Sequence, residues 1–488
     1  MNARRALCLA LALFSASCGT VRSRVPLPLP APVASAAARS PAPPADTERV
    51  WSAPTIEQLA LGNAIPLYFS SISSDRIAIA YCNQRASEDD LGAAAGLASI
   101  TSALITDGSA AHRGRSLQLA FARRGTTLVT HTSRAGTCLS VQSSPAELDE
   151  VASLLAESVQ RPAFENADFV SRRTAQMDER ASAVLSRAPL ARLLAYDLIY
   201  GAAHPYGRPE TGLGPEIRGR TLDEVRAYHR ARYTPANSAL VVAGGEREAV
   251  RAALERSFGG WQSANVAALP ARPVPTLAPR RPARLHIIDT QGGSQSHILV
   301  AWPGPPRDDQ DLPALRVLER VMGGMFSSRL NLALREDEGY AYGAYASLAL
   351  SRFGGLIMAR TNVEKSVTAQ SVQRMLVEIS ELRERPISDD ELATARALEQ
   401  AEHQGSFETP GSALVELAQL PLYGLPLDYP TRLDAAVRAV TAREVMAVAQ
   451  RYLPRSEVLI VVAGPRYEIE ASLQALALSG IEHWNFQR

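Results

Sequence analysis

One three-part pattern occurs twice in this chain and restricts its fold more than any other feature. Thr221-Leu-Asp-Glu-Val225, Arg232-Tyr233-Thr-Pro235 and Leu240-Val-Val-Ala-Gly244 follow one another in the first half. Thr441-Ala-Arg-Glu-Val445, Arg451-Tyr452-Leu-Pro454 and Ile460-Val-Val-Ala-Gly464 follow in the same order in the second, with Thr221 and Thr441 set 220 positions apart. Three elements in one order at one offset indicate a tandem duplication of an α+β unit. Earlier segments correspond more loosely: Ile77 to Cys82 with Ile298 to Trp302, and the helix from Gly96 with the helix Leu312 to Val321. The expected fold class is therefore α+β, with two tandem homologous domains, each an antiparallel-rich β-sheet packed with α-helices.

A chain of 488 residues exceeds one ordinary domain. The Pro-rich run from Ala268 to Pro282 separates halves of similar size, which places domains at 51–262 and 284–488 with a linker at 263–283. Strand-like patterns fall at Ile65 to Ser70, Arg76 to Cys82, Thr127 to Ser133 and Thr137 to Ser143; helical ones fall at Gly96 to Thr106 and Ser116 to Arg124. Residues 19–50 are rich in Pro, Ala and Ser and read as a disordered tether. Before them, Arg4-Arg5, an apolar run from Ala6 to Phe14 and Ser15-Ala16-Ser17-Cys18 read as a signal peptide, residues 1–18. The small-small-Cys ending resembles a bacterial lipoprotein site with Cys18 as the acylated residue, although Ser15 stands where Leu is usual. Export to the periplasmic face of a membrane, or secretion, is the expectation.

Net charge is +1, with 51 basic and 50 acidic residues, so the basic excess of a nucleic-acid binder is missing. Of four cysteines, only Cys82 and Cys138 lie beyond the leader; a disulfide between them requires neighbouring strands, which spacing does not decide. No CxxC, no Gly-x-Ser-x-Gly elbow and no phosphate loop occurs. The eight histidines form no i,i+3 or i,i+4 pair. Glu399 and His403 have helical spacing, which reads as a surface contact, and His204 reads as a turn cap beside Pro205. The stretch from Gly323 to Tyr345 opens with two glycines, continues as a helix with Leu330, Leu332 and Leu334 on its apolar side, and enters a strand after Gly339.

Several of these pieces together resemble the pitrilysin (insulinase-type) metallopeptidases, whose helix H-x-x-E-H supplies two zinc ligands and a catalytic Glu. Gly96-Leu-Ala-Ser99-Ile-Thr-Ser102-Ala103 through Gly108-Ser109 is similar to that helix. His204-Pro-Tyr-Gly207, Thr221, Tyr233, Pro235 and Asn237 resemble the later part of the family's N-terminal pattern. Asp289 to Ser296, Gly304-Pro-Pro306 and Gly323 to Tyr342 resemble its C-terminal one. The resemblance runs from about residue 51 onward.

The departure lies in the chemistry. The family's ligand positions fall on Ser99 and Ala103 and its catalytic Glu on Ser102, while the third ligand falls near Glu179, read here as a solvated helical residue. Zinc requires three ligands from His, Cys and carboxylates, and its water requires a base. No metal is therefore expected on this chain, and zinc is expected on a partner.

What the resemblance retains is Arg335 and Tyr342, which match residues that hydrogen-bond the scissile carbonyl in the transition state. Gly323, Gly324, Phe326, Ser327 and Ser328 match the adjoining substrate-contacting loop. The implied function is a non-catalytic subunit that pairs with a zinc-bearing homologue, closes the chamber and contacts a peptide substrate. The alternatives are a scaffold or peptide-binding protein with no proteolytic role, and last a self-sufficient metalloendopeptidase.

Overall fold

The computed structural model of the protein describes residues 51–90, 94–262, 284–290, 292–478 and 480–485. The leader, Cys18, the tether and the linker 263–283 lie outside the described residues.

Residues from Trp51 onward form one compact unit built on two six-stranded sheets. The first holds β1 (Ile56–Ala60), β2 (Pro66–Ser70), β3 (Ile77–Asn83), β4 (Val129–Thr132), β5 (Thr137–Ser143) and β6 (Ser238–Ala243), in the order β1-β2-β6-β3-β5-β4. The second holds β7 (Leu285–Asp289), β8 (Gln295–Gly304), β9 (Ala341–Ser351), β10 (Gly354–Glu364), β11 (Leu459–Gly464) and β12 (Ile481–Trp484), in the order β12-β7-β11-β8-β10-β9. The orders superimpose position by position, so β3 answers β8 and β6 answers β11, as the loose sequence correspondence implied. Both sheets are mostly antiparallel, with parallel pairs at β2–β6 and β7–β11. The outer strands break the symmetry: β1 runs antiparallel to β2, whereas β12 runs parallel to β7.

The repeated Thr-x-x-Glu has a local cause. Thr221 and Thr441 each cap the helix that precedes the repeated strand, Leu222–Arg232 and Ala442–Tyr452. In both, the Glu carboxylate accepts the cap residue's N–H at 2.7 Å while the Thr hydroxyl accepts the Glu N–H at 3.3 Å. Two orphan donors are satisfied at once, which fixes where each helix starts.

Each sheet buries one face under helices of its own half and the other under a helix from the opposite half. Helix Arg187–Tyr200 lays Leu190, Leu194 and Leu198 on β8 and β11, against Leu299, Ala301, Val461 and Ala463. Helix Pro410–Tyr423 lays Ala413, Leu414 and Leu417 on β3 and β6, against Ala78, Ala80, Val241 and Ala243. Neither sheet is covered on both faces without the other half of the chain. A buried polar clasp joins the halves: Arg352 Nε donates to Glu88 Oε1 at 2.8 Å, and the Tyr206 hydroxyl donates to Glu88 Oε2 at 3.2 Å. The Arg134 guanidinium stacks 4.4 Å from the Tyr196 ring and 4.8 Å from that of Tyr206. Cys82 and Cys138 sit directly opposite one another on β3 and β5 and are joined as a disulfide.

Candidate functional site

The helix that answers the zinc motif is Leu97–Ile105. Its start is held from two sides. Gly96 takes a left-handed φ of +82°, and a Cβ there would stand 2.6 Å from the Thr211 carbonyl oxygen, so glycine is required. Asp90 accepts the Ala98 N–H at 3.0 Å, and burial pushes its carboxyl up to about 7.

At the motif positions Ser102 is taken up within the first half. The buried Ser102 hydroxyl donates to the Ser99 carbonyl at 2.9 Å and lies 2.7 Å from Thr132 Oγ1, which lies 3.2 Å from Thr137 Oγ1. Ala103 offers a methyl group. Helix Asn166–Leu185 packs alongside, yet Asp178 and Glu179 face solvent, in keeping with the solvated reading of Glu179. The side chain that this helix turns toward the motif is Gln176, buried, with Nε2 donating to the Thr211 carbonyl at 2.5 Å and 3.4 Å from that of Gly96. Sequence reasoning passed over Gln176; the signal was its place about one turn before Glu179. Hydroxyls, a methyl and an amide do not fit zinc, which prefers imidazole, thiolate and carboxylate. Among the described residues no group of three His, Cys, Asp or Glu side chains is placed to hold a metal ion.

The stretch from Gly323 is more irregular than one amphipathic helix. Helix Leu312–Glu319 runs into a wide π-type turn at Arg320–Gly324, and a short helical turn at Arg329–Asn331 runs into a second one at Leu332–Asp337. Leu330 and Leu334 are fully buried, as expected, but Leu332 points outward, because a residue two positions along a helix faces the opposite side. Gly339, at φ +66°, then releases the chain into β9. Gly323 is a close-approach position: a Cβ there would meet the Ala346 nitrogen at 2.3 Å and the Tyr345 carbonyl carbon at 2.7 Å. Asn331 pins the loop to the strand, donating to the Phe326 carbonyl at 2.7 Å and accepting the Ala344 N–H at 3.3 Å. In β9 a bulge follows. Thr361 pairs with Ala344 but Val363 pairs with Ala341, so Asn362 alone opposes Tyr342 and Gly343. Bulges re-aim side chains, and Tyr342 leaves the sheet 88% exposed.

These devices bring Gly323, Gly324, Phe326, Arg335 and Tyr342 onto one cavity of about 380 Å³, together with Glu319 and Arg360. The Arg335 guanidinium sits between two rings, 4.7 Å from Phe326 and 5.4 Å from Tyr342. Its ion pair is with its neighbour Glu336 at 3.3 Å, so no long-range salt bridge buries it. Ser327 and Ser328 do not line the cavity: Ser327 is exposed beyond it, and Ser328 is fully buried where its backbone opens the Arg329 turn, which removes it from direct substrate contact.

Glu319, Asn331 and Arg360 are polar or charged cavity residues that were not among the expected contacts. Burial lifts Glu319 to about 7, assisted by Glu399 and Glu402 and opposed by Arg320 and Arg316. Glu399 is itself buried and gripped by Arg316 at 2.5 Å and Arg320 at 2.7 Å. His403 is also buried, with Nε2 3.0 Å from the Pro430 carbonyl oxygen. The surface Glu399–His403 contact suggested by their spacing is therefore absent. His204 does cap its turn, accepting the Tyr206 N–H at 2.9 Å.

The two repeated sheets, with Ser99, Ser102 and Ala103 on the helix compared with the zinc motif, make a peptidase-like fold. Residues 220–399 match the peptidase M16 inactive domain, and with this the family resemblance read from the sequence is borne out. An uncharacterized zinc protease of Streptomyces coelicolor is 28% identical over 276 residues, 54% of this chain and 58% of that protein. A probable inactive metalloprotease of Bacillus subtilis is 26% identical over 113 residues, 23% of this chain and 26% of that one. The chain thus spans less than two thirds of the curated relatives it matches. Among solved structures, a peptidase M16 inactive domain from Pseudomonas fluorescens superimposes with a TM-score of 0.77 at 21% identity, over 84% of this chain and 98% of that one. A protease from Helicobacter pylori superimposes with a TM-score of 0.77 at 17% identity, over 84% and 99%. These likenesses carry the two-sheet fold.

Proposed function

We propose that this chain is the non-catalytic subunit of an exported, heteromeric zinc peptidase. A zinc-bearing homologue supplies the metal and the general base, and this chain closes the chamber and places Arg335 and Tyr342 against the peptide. The observation that carries the reading is the contrast between two sites. The Ser102 hydroxyl is taken up by the Ser99 carbonyl and Thr132, whereas Arg335 and Tyr342 stand at a solvent-facing cavity where, among the described residues, Arg335 pairs with the adjacent Glu336. A guanidinium and a phenol held at fixed positions suit an oxyanion that develops away from water. The stacking of Arg335 between Phe326 and Tyr342 restricts its rotamers before substrate arrives, which lowers the cost of ordering it.

The zinc belongs to the partner in this reading, and Cys18 provides the membrane anchor. A purely structural role would suit an Arg335 buried in a salt bridge, and its pairing with the adjacent Glu336 does not favour that. The test is co-expression with an H-x-x-E-H homologue from the same locus. A stable heterodimer with one zinc per pair is the expected product; separate elution of the two chains sinks the proposal.

A further inference from the structure

Outside the Arg335 corner, a cavity of about 400 Å³ opens beside the Thr368–Glu384 helix of the second half, within the size range of small-molecule sites. Leu376, Val377, Leu476 and Leu478 are among its accessible apolar walls, and Arg284, Arg383 and Arg455 add three guanidinium groups. Glu384, which interacts with both Arg455 and Arg383, offsets only part of that charge. Arg455 pairs with Glu384 at 2.9 Å, while Arg284 and Arg383 make no ion pair with another described residue. Ser380 is already committed, donating to Glu384 at 2.7 Å and held by Arg455. Guanidinium groups without ion pairs at the edge of an apolar cavity suit an anionic head with an apolar tail.

We infer that this cavity binds a medium-chain fatty carboxylate, with the head on Arg383 and Arg284 and the tail along Leu376, Val377, Leu476 and Leu478. A carboxylate accepts from two guanidinium groups in plane, which a neutral head cannot do. The inference is independent of the partner and of the peptidase reading.

The probes are dodecanoate, decanoate and dodecan-1-ol, titrated calorimetrically into the full-length chain, the acids below their micellar concentrations and the alcohol below its solubility limit. Dodecanoate is expected to bind one-to-one and saturably, with decanoate about fifteenfold weaker for its two missing methylenes. Dodecan-1-ol is expected to bind at least tenfold weaker than dodecanoate. In the Arg284→Met, Arg383→Met double variant that difference collapses, and Leu376→Trp, which fills the cavity, abolishes uptake. Absence of saturable binding by the native chain overturns the inference, as does equal affinity for the acid and the alcohol. Those two readings need no variant, so a folding failure of either mutant leaves the test intact.

Discussion

The exchanged helices make a prediction that runs against sequence order. Leu417 belongs to the second half but is fully buried against β3 and β6 of the first sheet. Its neighbours there include Ala78, Ala80 and Ala243, short side chains that cannot extend into the space a Leu417→Ala change leaves. The cost therefore combines lost transfer energy with a cavity that persists, and about 3 kcal/mol is expected from a range of roughly 2–5. That raises the local opening equilibrium of the first sheet by somewhat over a hundredfold.

Native-state hydrogen exchange read by mass spectrometry follows the amides of β3 and β6 separately from those of β8 and β11. In Leu417→Ala the first set should lose protection by that factor while the second changes little. Leu194→Ala, in the helix that crosses the other way, should reverse the pattern. Val415→Ala, at a position 65% exposed on the same helix, should stay within about 0.5 kcal/mol of wild type. If Leu417→Ala loosens only the second sheet, the helix does not hold the first one and the account of the fold is wrong.

Three further outcomes follow from the same packing. The folded chain holds the Glu319 carboxyl at about 7 against an ordinary 4.5, so it binds a proton that the unfolded chain releases; this contribution is complete below about 4.5 and lost as pH rises through about 7. Urea midpoints at pH 5 and pH 8 should therefore differ less in Glu319→Gln than in wild type, and an identical difference would refute the burial argument. Arg352→Met leaves the Glu88 carboxylate buried without its guanidinium and should cost about 3–5 kcal/mol by denaturation, with Glu88→Gln in the same chain recovering part of it. Gly323→Ala drives a methyl group into the backbone of Tyr345 and Ala346; a loss of about 1–3 kcal/mol in thermal or urea unfolding is expected, and no change would show that the turn can shift freely.

The parts of the fold that were legible are those whose physics is local. β5 at Thr137–Ser143 and β3 near Ile77–Asn83 alternate or run apolar in the expected way, and the repeated Thr and Glu fix two helix starts. The edge strands β1 and β12 were missed because they are short and half-exposed, so their patterns carry little apolar signal. The helix exchange was not legible either. The Arg187–Tyr200 helix meets apolar partners on several sides, with leucines on the second sheet and Tyr196 and Tyr200 in the aromatic clasp, so no stripe announces which sheet it covers.

At the candidate site, Arg335 and Tyr342 were nameable by their place in the motif, while their geometry was not. The π-type turns and the β9 bulge depend on tertiary contact with Ala346 and Asn362, which spacing along the chain does not encode. The Cys82–Cys138 bond likewise waited on the register of β3 against β5.

The central claim is that Arg335 and Tyr342 complete an active site whose metal sits on another chain. The measurement that tests it most directly is kcat of the purified heterodimer, compared among wild type, Arg335→Ala and Tyr342→Phe, with complex formation verified for each. Loss of one transition-state donor should lower kcat by about 10²–10³ with the heterodimer intact. Unchanged kcat in both variants would contradict the claim.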